Sequence, residues 1–233
     1  MIKKSCLFFT ALLLSVSLFA EVRLPRLFGD NMVLQRDKPI AVWGWASPGE
    51  KIIIRFNGQT RTVKADKQGQ WTLRLDPMSA GGPYQMTVTG AKSDKTFNNV
   101  MVGEVWICSG QSNMEMPIAG WGKINNYQEE IAAANFDAIR QIKVPTTVAL
   151  IPQTDIPNGE WKVCSPQTAG DFSATAYFFA RELYQKLHIP IGLINTSWGG
   201  TMVETWTSRG AFEQSDEFRE MIRTMPPAAD IKQ

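Results

Sequence analysis

The stretch VMVGEVWICSGQSNM, residues 100–114, decides how the second part of this chain folds. Its first nine residues are nearly all apolar, which is typical of a strand covered on both faces in a parallel sheet. A second short apolar run, residues 191–194, follows a segment with a helical pattern and ends in the loop 195–201. Strand, helix and strand, with a Gly- and Ser-bearing loop after each strand, indicate a doubly wound α/β sheet. Because ligands bind beyond the carboxyl ends of such strands, we expect both loops to face one crevice.

Local patterns predict the other elements of this part of the chain. Residues 127–134 predict a helix and residues 138–144 predict a strand. Asp171 is the expected N-cap of a longer helix, which ends before Pro190 because proline cannot continue a helix. The apolar positions expected to share the buried face of that helix are Phe172, Ala176, Phe179, Leu183 and Leu187.

Residues 21–98 show a different pattern, in which short β-branched and aromatic runs are separated by turn residues. In one run Trp71, Leu73 and Leu75 alternate with polar residues, so one face of that strand is expected to be buried. The Asn57-Gly58 pair is typical of a type I′ hairpin, whose central residues both need positive φ. The pattern predicts a small antiparallel β-sandwich of the immunoglobulin-like kind. Its predicted strands are residues 32–35, 40–45, 51–56, 60–64, 71–75 and 84–88.

Three tryptophans of this predicted sandwich allow two interpretations. Trp43, Trp45 and Trp71 are able to form a stacking platform for sugars, or they belong to the core of the sandwich. Aromatic residues in a small sandwich are more often core, and Trp71 fits the buried face of its strand.

Composition and charge exclude several classes of function. The 233 residues are 44% hydrophobic, which is enough to build one or two folded domains. The 24 Lys and Arg nearly balance the 22 Asp and Glu, so the chain offers no basic stripe for nucleic acid. The single histidine, His188, excludes a His-rich metal site.

The first 20 residues are typical of an export signal. Lys3 and Lys4 precede the apolar residues 7–19, and Ala20 follows as a small residue at a plausible cleavage point. The apolar stretch is too short to span a hydrocarbon core of ~30 Å, which needs ~20 residues. We therefore expect a signal peptide over residues 1–20, the β-sandwich over 21–98 and the α/β domain over 99–233.

Export has consequences for the mature protein. We expect it to be soluble, periplasmic or extracellular, with no membrane contact once the signal is removed. Cys6 would be lost with the signal, which leaves Cys108 and Cys164. In an oxidising compartment these two either pair or remain buried free thiols.

The first loop of the predicted sheet carries a candidate nucleophile. Ser112 lies in a tight Gly-flanked turn after a buried strand, so its hydroxyl is expected at the sheet edge beside backbone N–H groups able to stabilise an oxyanion. The turn is not a G-x-S-x-G elbow, because Met114 stands where the second glycine would be. The chain also lacks the glycine patterns of phosphate-binding loops.

Residues 104–116, EVWICSGQSNMEM, resemble the first block of the sialate O-acetylesterase-like family, which belongs to the SGNH (GDSL-like) hydrolase superfamily. Residues 197–201, SWGGT, followed by Glu204 and Trp206, resemble its second block. Residues 161–166 and 171–174 are similar to the connecting region of bacterial members. The resemblance covers residues 27 to 210.

The resemblance implies a fold, a reaction and a set of residues. The fold is a three-layer α/β/α hydrolase, and the reaction removes acetyl groups from sugar hydroxyls through an acyl-serine intermediate, without metal or cofactor. The substrate is an O-acetylated sugar, either sialic acid or an acetylated polysaccharide. Ser112 is implied as the nucleophile, and the backbone N–H groups of Ser112 and Gly199 as oxyanion donors, with Gly200 as the alternative to Gly199. The positions implied as loop support are Asn113, Glu204 and Trp206.

Two family blocks find no match here. One is a later oxyanion loop, and the other is the Asp-x-x-His block that supplies the general base. His188 is expected at the opposite end of its strand from Gly199, too far from Ser112 to replace that base. We therefore expect the N-terminal part of an SGNH-type esterase domain with little activity of its own. A non-catalytic carbohydrate-binding protein and a truncated product without a role remain alternatives.

Overall fold

The computed structural model describes residues 21–149 and 151–224, so the predicted export signal lies outside the described residues. The N-terminal part is built from strands and the C-terminal part from alternating helices and strands. The strands of the first part are β1 (Val33–Gln35), β2 (Ile40–Trp45), β3 (Lys51–Phe56), β4 (Gln59–Lys64), β5 (Gln70–Leu75), β6 (Gly81–Thr89) and β7 (Asp94–Gly110). The later elements are α1 (Ser112–Glu115), α2 (Tyr127–Ala133), β8 (Phe136–Lys143), β9 (Trp161–Cys164), α3 (Ala174–Leu187), β10 (Ile191–Ser197), α4 (Arg209–Glu213) and α5 (Arg219–Thr224), with 3-10 turns at Ala169–Asp171 and Val203–Trp206.

The first part is a β-sandwich, as the alternating pattern predicts. Strands β2 and β5 form an antiparallel pair, and their apolar residues pack in one core with those of β3, β6 and β7. Trp71, Leu73 and Leu75 are buried in that core while Thr72 between them is exposed. The β3–β4 hairpin turns at Asn57 and Gly58, both with positive φ, which confirms the predicted turn.

The sandwich tryptophans do not form an open platform. Trp71 is 3% exposed. Trp43 packs edge-on against Phe28 with ring centroids 4.9 Å apart, and the guanidinium of Arg23 covers Trp45 at 4.0 Å. The rings are therefore engaged within the protein, which favours the core interpretation.

Strand β7 runs through both parts of the molecule. Its first half pairs antiparallel with β6, and from Glu104 onward it pairs in parallel with β10. The boundary placed at residues 98 and 99 thus falls inside a continuous strand. Gly103 stands at the change of partner, where a Cβ would lie 2.0 Å from the carbonyl oxygen of Pro190. Glycine is required there because any side chain would collide with that backbone.

The second part is mixed α/β, as predicted. Strands β7, β10 and β8 are parallel neighbours, and β9 adds an antiparallel edge strand that the sequence pattern did not predict. Helix α3 covers one face of this sheet through Ala176, Tyr177 and Ala180. Trp161 and Ile142 reach the sandwich core from the other face.

The prediction that Asp171 caps α3 is wrong. The N-cap is Ser173, whose hydroxyl accepts a hydrogen bond from the Ala176 N–H at 3.2 Å. Asp171 ends the preceding 3-10 turn, and the extended Phe172 between them turns its ring into the core. Burial of that ring sets where the helix begins. Phe179 and Leu187, expected on the buried face, are 40% and 46% exposed.

The prediction that residues 100–108 are covered on both faces holds at the start of that run and at Cys108, but not between them. Val100 and Val102 are buried, but Trp106 is 43% exposed and Ile107 is 72% exposed. The reason is that β6 and β1 pair with β7 only as far as Gly103, so the later residues form an edge.

The two described cysteines, Cys108 and Cys164, are buried and free, in agreement with the second alternative stated above. Burial raises the pKa of each thiol to about 11. Among the described residues, no helix is long and apolar enough to cross a membrane.

Arg140 on β8 ties the two parts together. It is 2% exposed, and its guanidinium donates to the backbone oxygens of Asn31, Asn99 and Asp137 and to the side chain of Asn99. Burial lowers the pKa of this guanidinium, since the charged form loses its hydration. Of the residues it bonds, Asn31 lies just before β1, Asn99 lies within β7, and Asp137 lies within β8 itself.

Replacing Arg140 with Ala is expected to destabilise the protein by roughly 2–4 kcal/mol, because several buried carbonyls lose their donor. At this chain length that corresponds to a melting temperature lower by roughly 4–16 °C, measured by calorimetry. Arg61→Ala is the control: Arg61 pairs with Asp76 at the surface, and its loss should cost under about 1 kcal/mol. Equal effects of the two variants would contradict the role given to Arg140.

Candidate active site

Ser112 stands at the carboxyl end of β7. It is the first residue of α1, and its side chain is exposed. Gly110, with φ of 141°, makes the turn out of the strand in a conformation that side chains disfavour. The hydroxyl is therefore presented to solvent at the edge of the sheet, as the sequence predicts.

The second loop leaves the same edge. Ser197, the last residue of β10, is paired with Gly110, so residues 198–201 start beside the Ser112 turn. The Trp198 N–H donates to the Gly110 carbonyl at 2.9 Å, and the Gln111 side-chain amide donates to the Thr201 carbonyl. These two hydrogen bonds hold the loops together.

Gly199 lies directly against Ser112. A Cβ on Gly199 would stand 3.1 Å from the Ser112 Oγ and 3.4 Å from its Cα. The structure thus brings Ser112 and Gly199 together. Gly200, the alternative donor, is exposed with φ of 76°, and a Cβ there would meet no atom within 4 Å.

Glu115 also belongs to this cluster, although sequence reasoning did not single it out. Its Oε2 accepts the Gly199 N–H at 2.6 Å and lies 2.7 Å from the position of a Gly199 Cβ. The sequence feature that could have pointed to Glu115 is its position three residues after Ser112, which places it on the same turn of α1. The Gly199 N–H is therefore already directed at a negatively charged oxygen close to the Ser112 hydroxyl.

The three residues expected as loop support have different surroundings. The Asn113 carbonyl accepts a hydrogen bond from the Thr175 hydroxyl at 2.8 Å, while its side chain is exposed. The Trp206 indole N–H donates to the Thr201 Oγ1 at 2.8 Å, and that hydroxyl donates to the Trp198 carbonyl at 2.7 Å. Glu204 lies half-buried in the 3-10 turn that ends at Trp206.

A cavity of about 540 Å³ adjoins the second loop. One wall is the segment after β8, and the other is the end of β10 with the residues that follow it. Its lining includes Pro145, Val148, Trp198, Thr201, Thr205 and Trp206. Trp198, which directly precedes Gly199, lines the cavity, whereas neither Gly199 nor Ser112 is among the lining residues.

His188 lies at the far end of the sheet from Ser112. It is the C-cap of α3, with φ of 52°, and precedes β10. At about 3.3 Å per residue, the seven residues of β10 place it roughly 20 Å from the second loop. Within residues 21–149 and 151–224, no group of three His, Cys, Asp or Glu side chains is arranged to hold a metal ion.

Asn195 begins the formal glycosylation sequon Asn195-Thr196-Ser197. It is buried, and its side-chain oxygen accepts from the Ser197 hydroxyl at 3.0 Å. This asparagine is not accessible to a glycosylating enzyme in the folded protein.

Comparison with known sequences identifies the family. Residues 102–232 match the carbohydrate esterases described as sialic acid-specific acetylesterases. The chain belongs to this family. The matched range contains Ser112, Glu115 and Gly199, the three residues that meet at the sheet edge.

Curated relatives of this acetylesterase family member include two mammalian proteins. Sialate O-acetylesterase of Mus musculus is 33% identical over 201 residues, which covers 77% of this chain and 36% of the relative. The Homo sapiens sialate O-acetylesterase is 33% identical over 199 residues, covering 77% and 37%. The chain thus spans little more than a third of the length of these relatives.

A solved structure shares the fold of this family member. The carbohydrate acetylesterase from Xanthomonas citri superposes with a TM-score of 0.80 at 43% identity, covering 83% of this chain and 44% of that chain. This likeness confirms the predicted α/β hydrolase fold class.

Replacing Glu115 with Ala is expected to expose the Gly199 N–H. Its hydrogen exchange should accelerate by about tenfold or more, since loss of a charge-assisted bond costs about 1.5–3 kcal/mol. Glu115→Gln keeps a carbonyl acceptor and should preserve most of the protection. Amide exchange followed by NMR at Gly199 measures this, and equal protection in wild type and Glu115→Ala would show that the bond is absent in solution.

Proposed function

We propose that this chain carries the nucleophile and oxyanion loops of an exported carbohydrate O-acetylesterase. The supporting observation is that an exposed Ser112 hydroxyl lies against Gly199 in a member of the sialic acid-specific acetylesterase family. The substrate is an O-acetylated sugar, and the expected signal over residues 1–20 directs the protein out of the cytoplasm.

In the proposed reaction, Ser112 Oγ attacks the acetyl carbonyl carbon while its proton passes to a base. The carbonyl oxygen becomes an oxyanion, and the C–O bond to the sugar breaks with a proton returned to the sugar hydroxyl. Water then attacks the acetyl-serine, releasing acetate and restoring the hydroxyl. No atom is oxidised or reduced in these steps, so water is the co-reactant that completes the balance.

The oxyanion is stabilised by the backbone N–H groups of Ser112 and Gly199. Removal of one such donor costs about 3–4 kcal/mol of transition-state stabilisation in a well-studied hydrolase. Because Glu115 holds the Gly199 N–H in this structure, its carboxylate has to move aside when that N–H binds the oxyanion. A carboxylate that stayed would repel the developing charge.

Within residues 21–149 and 151–224, no histidine stands beside Ser112 to act as the base. His188, the one histidine of the sequence, is held at the other end of β10. We expect the 233-residue chain to turn over acetyl esters slowly, limited to the ~10³–10⁴-fold residual catalysis that binding and oxyanion donors provide.

The test is acetylation of Ser112 by 4-nitrophenyl acetate. Without a base, deacylation is slow as well, so the acetyl-serine should accumulate and be located by peptide mass spectrometry. We expect Ser112 to be acetylated about 10² times faster or more than the exposed Ser79. Steady release of 4-nitrophenol should stay low.

The control variant is Ser109→Ala, which removes an exposed serine near the end of β7 and should leave labelling of Ser112 unchanged. Ser112→Ala should abolish labelling of that peptide. If Ser112 is acetylated no faster than Ser79, or if rapid turnover survives in Ser112→Ala, the nucleophile is assigned wrongly.

A further inference from the structure

The oxyanion side of the proposed site is occupied by a side chain of the protein itself. The Glu115 Oε2 accepts the Gly199 N–H at 2.6 Å and lies 2.7 Å from the position of a Gly199 Cβ. The Ser112 Oγ lies 3.1 Å from that same position. Donors to an oxyanion stand about 2.7–3.1 Å from the oxygen they bind. The carboxylate oxygen is therefore held where the Gly199 N–H would bind the oxyanion of a reacting ester.

The backbone that carries this carboxylate is tied to the start of α3. Helix α1 is a single turn, and its Asn113 carbonyl accepts a hydrogen bond from the Thr175 hydroxyl at 2.8 Å. The Met116 carbonyl, directly after the turn, accepts the Ala174 N–H at 2.9 Å. Because these bonds hold the turn in place, the carboxylate leaves its donor by rotation of the Glu115 side chain.

The charge of this carboxylate is not balanced by a cation. The ion pairs found within residues 21–149 and 151–224 do not include Glu115. The residue is half-buried, so water screens its charge only in part. A second negative oxygen that forms beside the Ser112 hydroxyl is therefore repelled as well as deprived of a donor.

A donor that is occupied most of the time serves another acceptor only in the remaining fraction. The apparent affinity for a competing oxygen falls in proportion to that fraction. The roughly tenfold protection expected for the Gly199 N–H corresponds to an occupied fraction of about 90%. Occupancy alone should then slow acetylation of Ser112 about tenfold, and repulsion should slow it further.

On the proposed function, we infer that Glu115 is an internal inhibitor of this esterase site. Its carboxylate takes the place of the oxyanion, so the site is closed to an ester until the side chain rotates away. The slow turnover expected of the chain then has two causes, the distance of His188 from Ser112 and the occupied Gly199 N–H. The second cause is removed by one substitution.

A general base is the opposite role for the same carboxylate. A base has to lie within hydrogen-bond reach of the proton it removes. In the part of the chain that the structure describes, the Glu115 carboxylate accepts a hydrogen bond from the Gly199 N–H and none from the Ser112 hydroxyl. The two roles predict opposite effects of removing the carboxylate.

The experiment compares the rate at which 4-nitrophenyl acetate acetylates Ser112 in the full chain and in its variants. Glu115→Ala frees the N–H and removes the charge, and should be acetylated at least about tenfold faster than wild type. Glu115→Gln keeps an acceptor of nearly the same shape, but a neutral one that binds an N–H about half as strongly. Its rate should lie between the two. Glu129→Ala is the matched control, because Glu129 is exposed in the first turn of α2.

Acetate binding provides a measurement that needs no reaction. Sodium acetate is titrated into the same proteins while NMR follows the Gly199 amide. Acetate presents the same carboxylate group as Glu115 and competes for the same N–H. Glu115→Ala should therefore bind acetate at least about tenfold more tightly than wild type, and Glu129→Ala should match wild type in both measurements.

Equal, measurable acetylation rates in wild type and Glu115→Ala, or equal acetate affinities, would overturn the inhibition. Slower acetylation in both Glu115 variants would also overturn it and would assign the carboxylate as the base. Failure of the proposed function has a different outcome: Ser112 stays unlabelled in every variant, while the gain in acetate affinity at Gly199 persists.

Discussion

The parallel pairing of β7 with β10 is the constraint on which the whole site depends. Because Ser197 stands opposite Gly110, the loops that follow the two strands begin side by side. A slip of one residue would move one loop by about 3.3 Å and turn its side chains to the other face. Gly103 opposes such a slip, since only glycine permits the close approach of Pro190 where the pairing starts.

The arrangement of charge at the sheet edge follows from this pairing. The Gly199 N–H has a carboxylate oxygen of Glu115 as its acceptor at 2.6 Å, next to the exposed hydroxyl of Ser112. A backbone donor that already binds a negative oxygen needs little reorientation to bind another, which is the physical meaning of preorganisation. On the proposed function, the Glu115 carboxylate occupies the position where an oxyanion would bind and competes with it for the Gly199 N–H.

Sequence reasoning succeeds here where a local period or a strand end decides the structure, and fails where tertiary contacts decide it. The alternation around Trp71 gives the buried face of β5, and the position of Ser112 after an apolar run gives its place at the sheet edge. The helix start could not be predicted, because burial of Phe172 moves the cap from Asp171 to Ser173. Likewise, the bond from Glu115 to Gly199 joins residues 84 positions apart.

The most direct test of the account is whether positions 112 and 199 can be joined by a disulfide. In the double variant Ser112→Cys, Gly199→Cys, one sulfur takes the place of the Ser112 Oγ, which lies 3.1 Å from the position of a Gly199 Cβ. This separation allows the two sulfurs to bond with ordinary disulfide geometry. The Glu115 carboxylate, 2.7 Å from the same Cβ position, has to move aside. Mild oxidation followed by peptide mass spectrometry reads the linkage, with the single variants as controls for pairing with Cys108 or Cys164. We expect one linkage between the two new thiols in the folded protein; a folded double variant that keeps both thiols free would contradict the pairing that assembles the site.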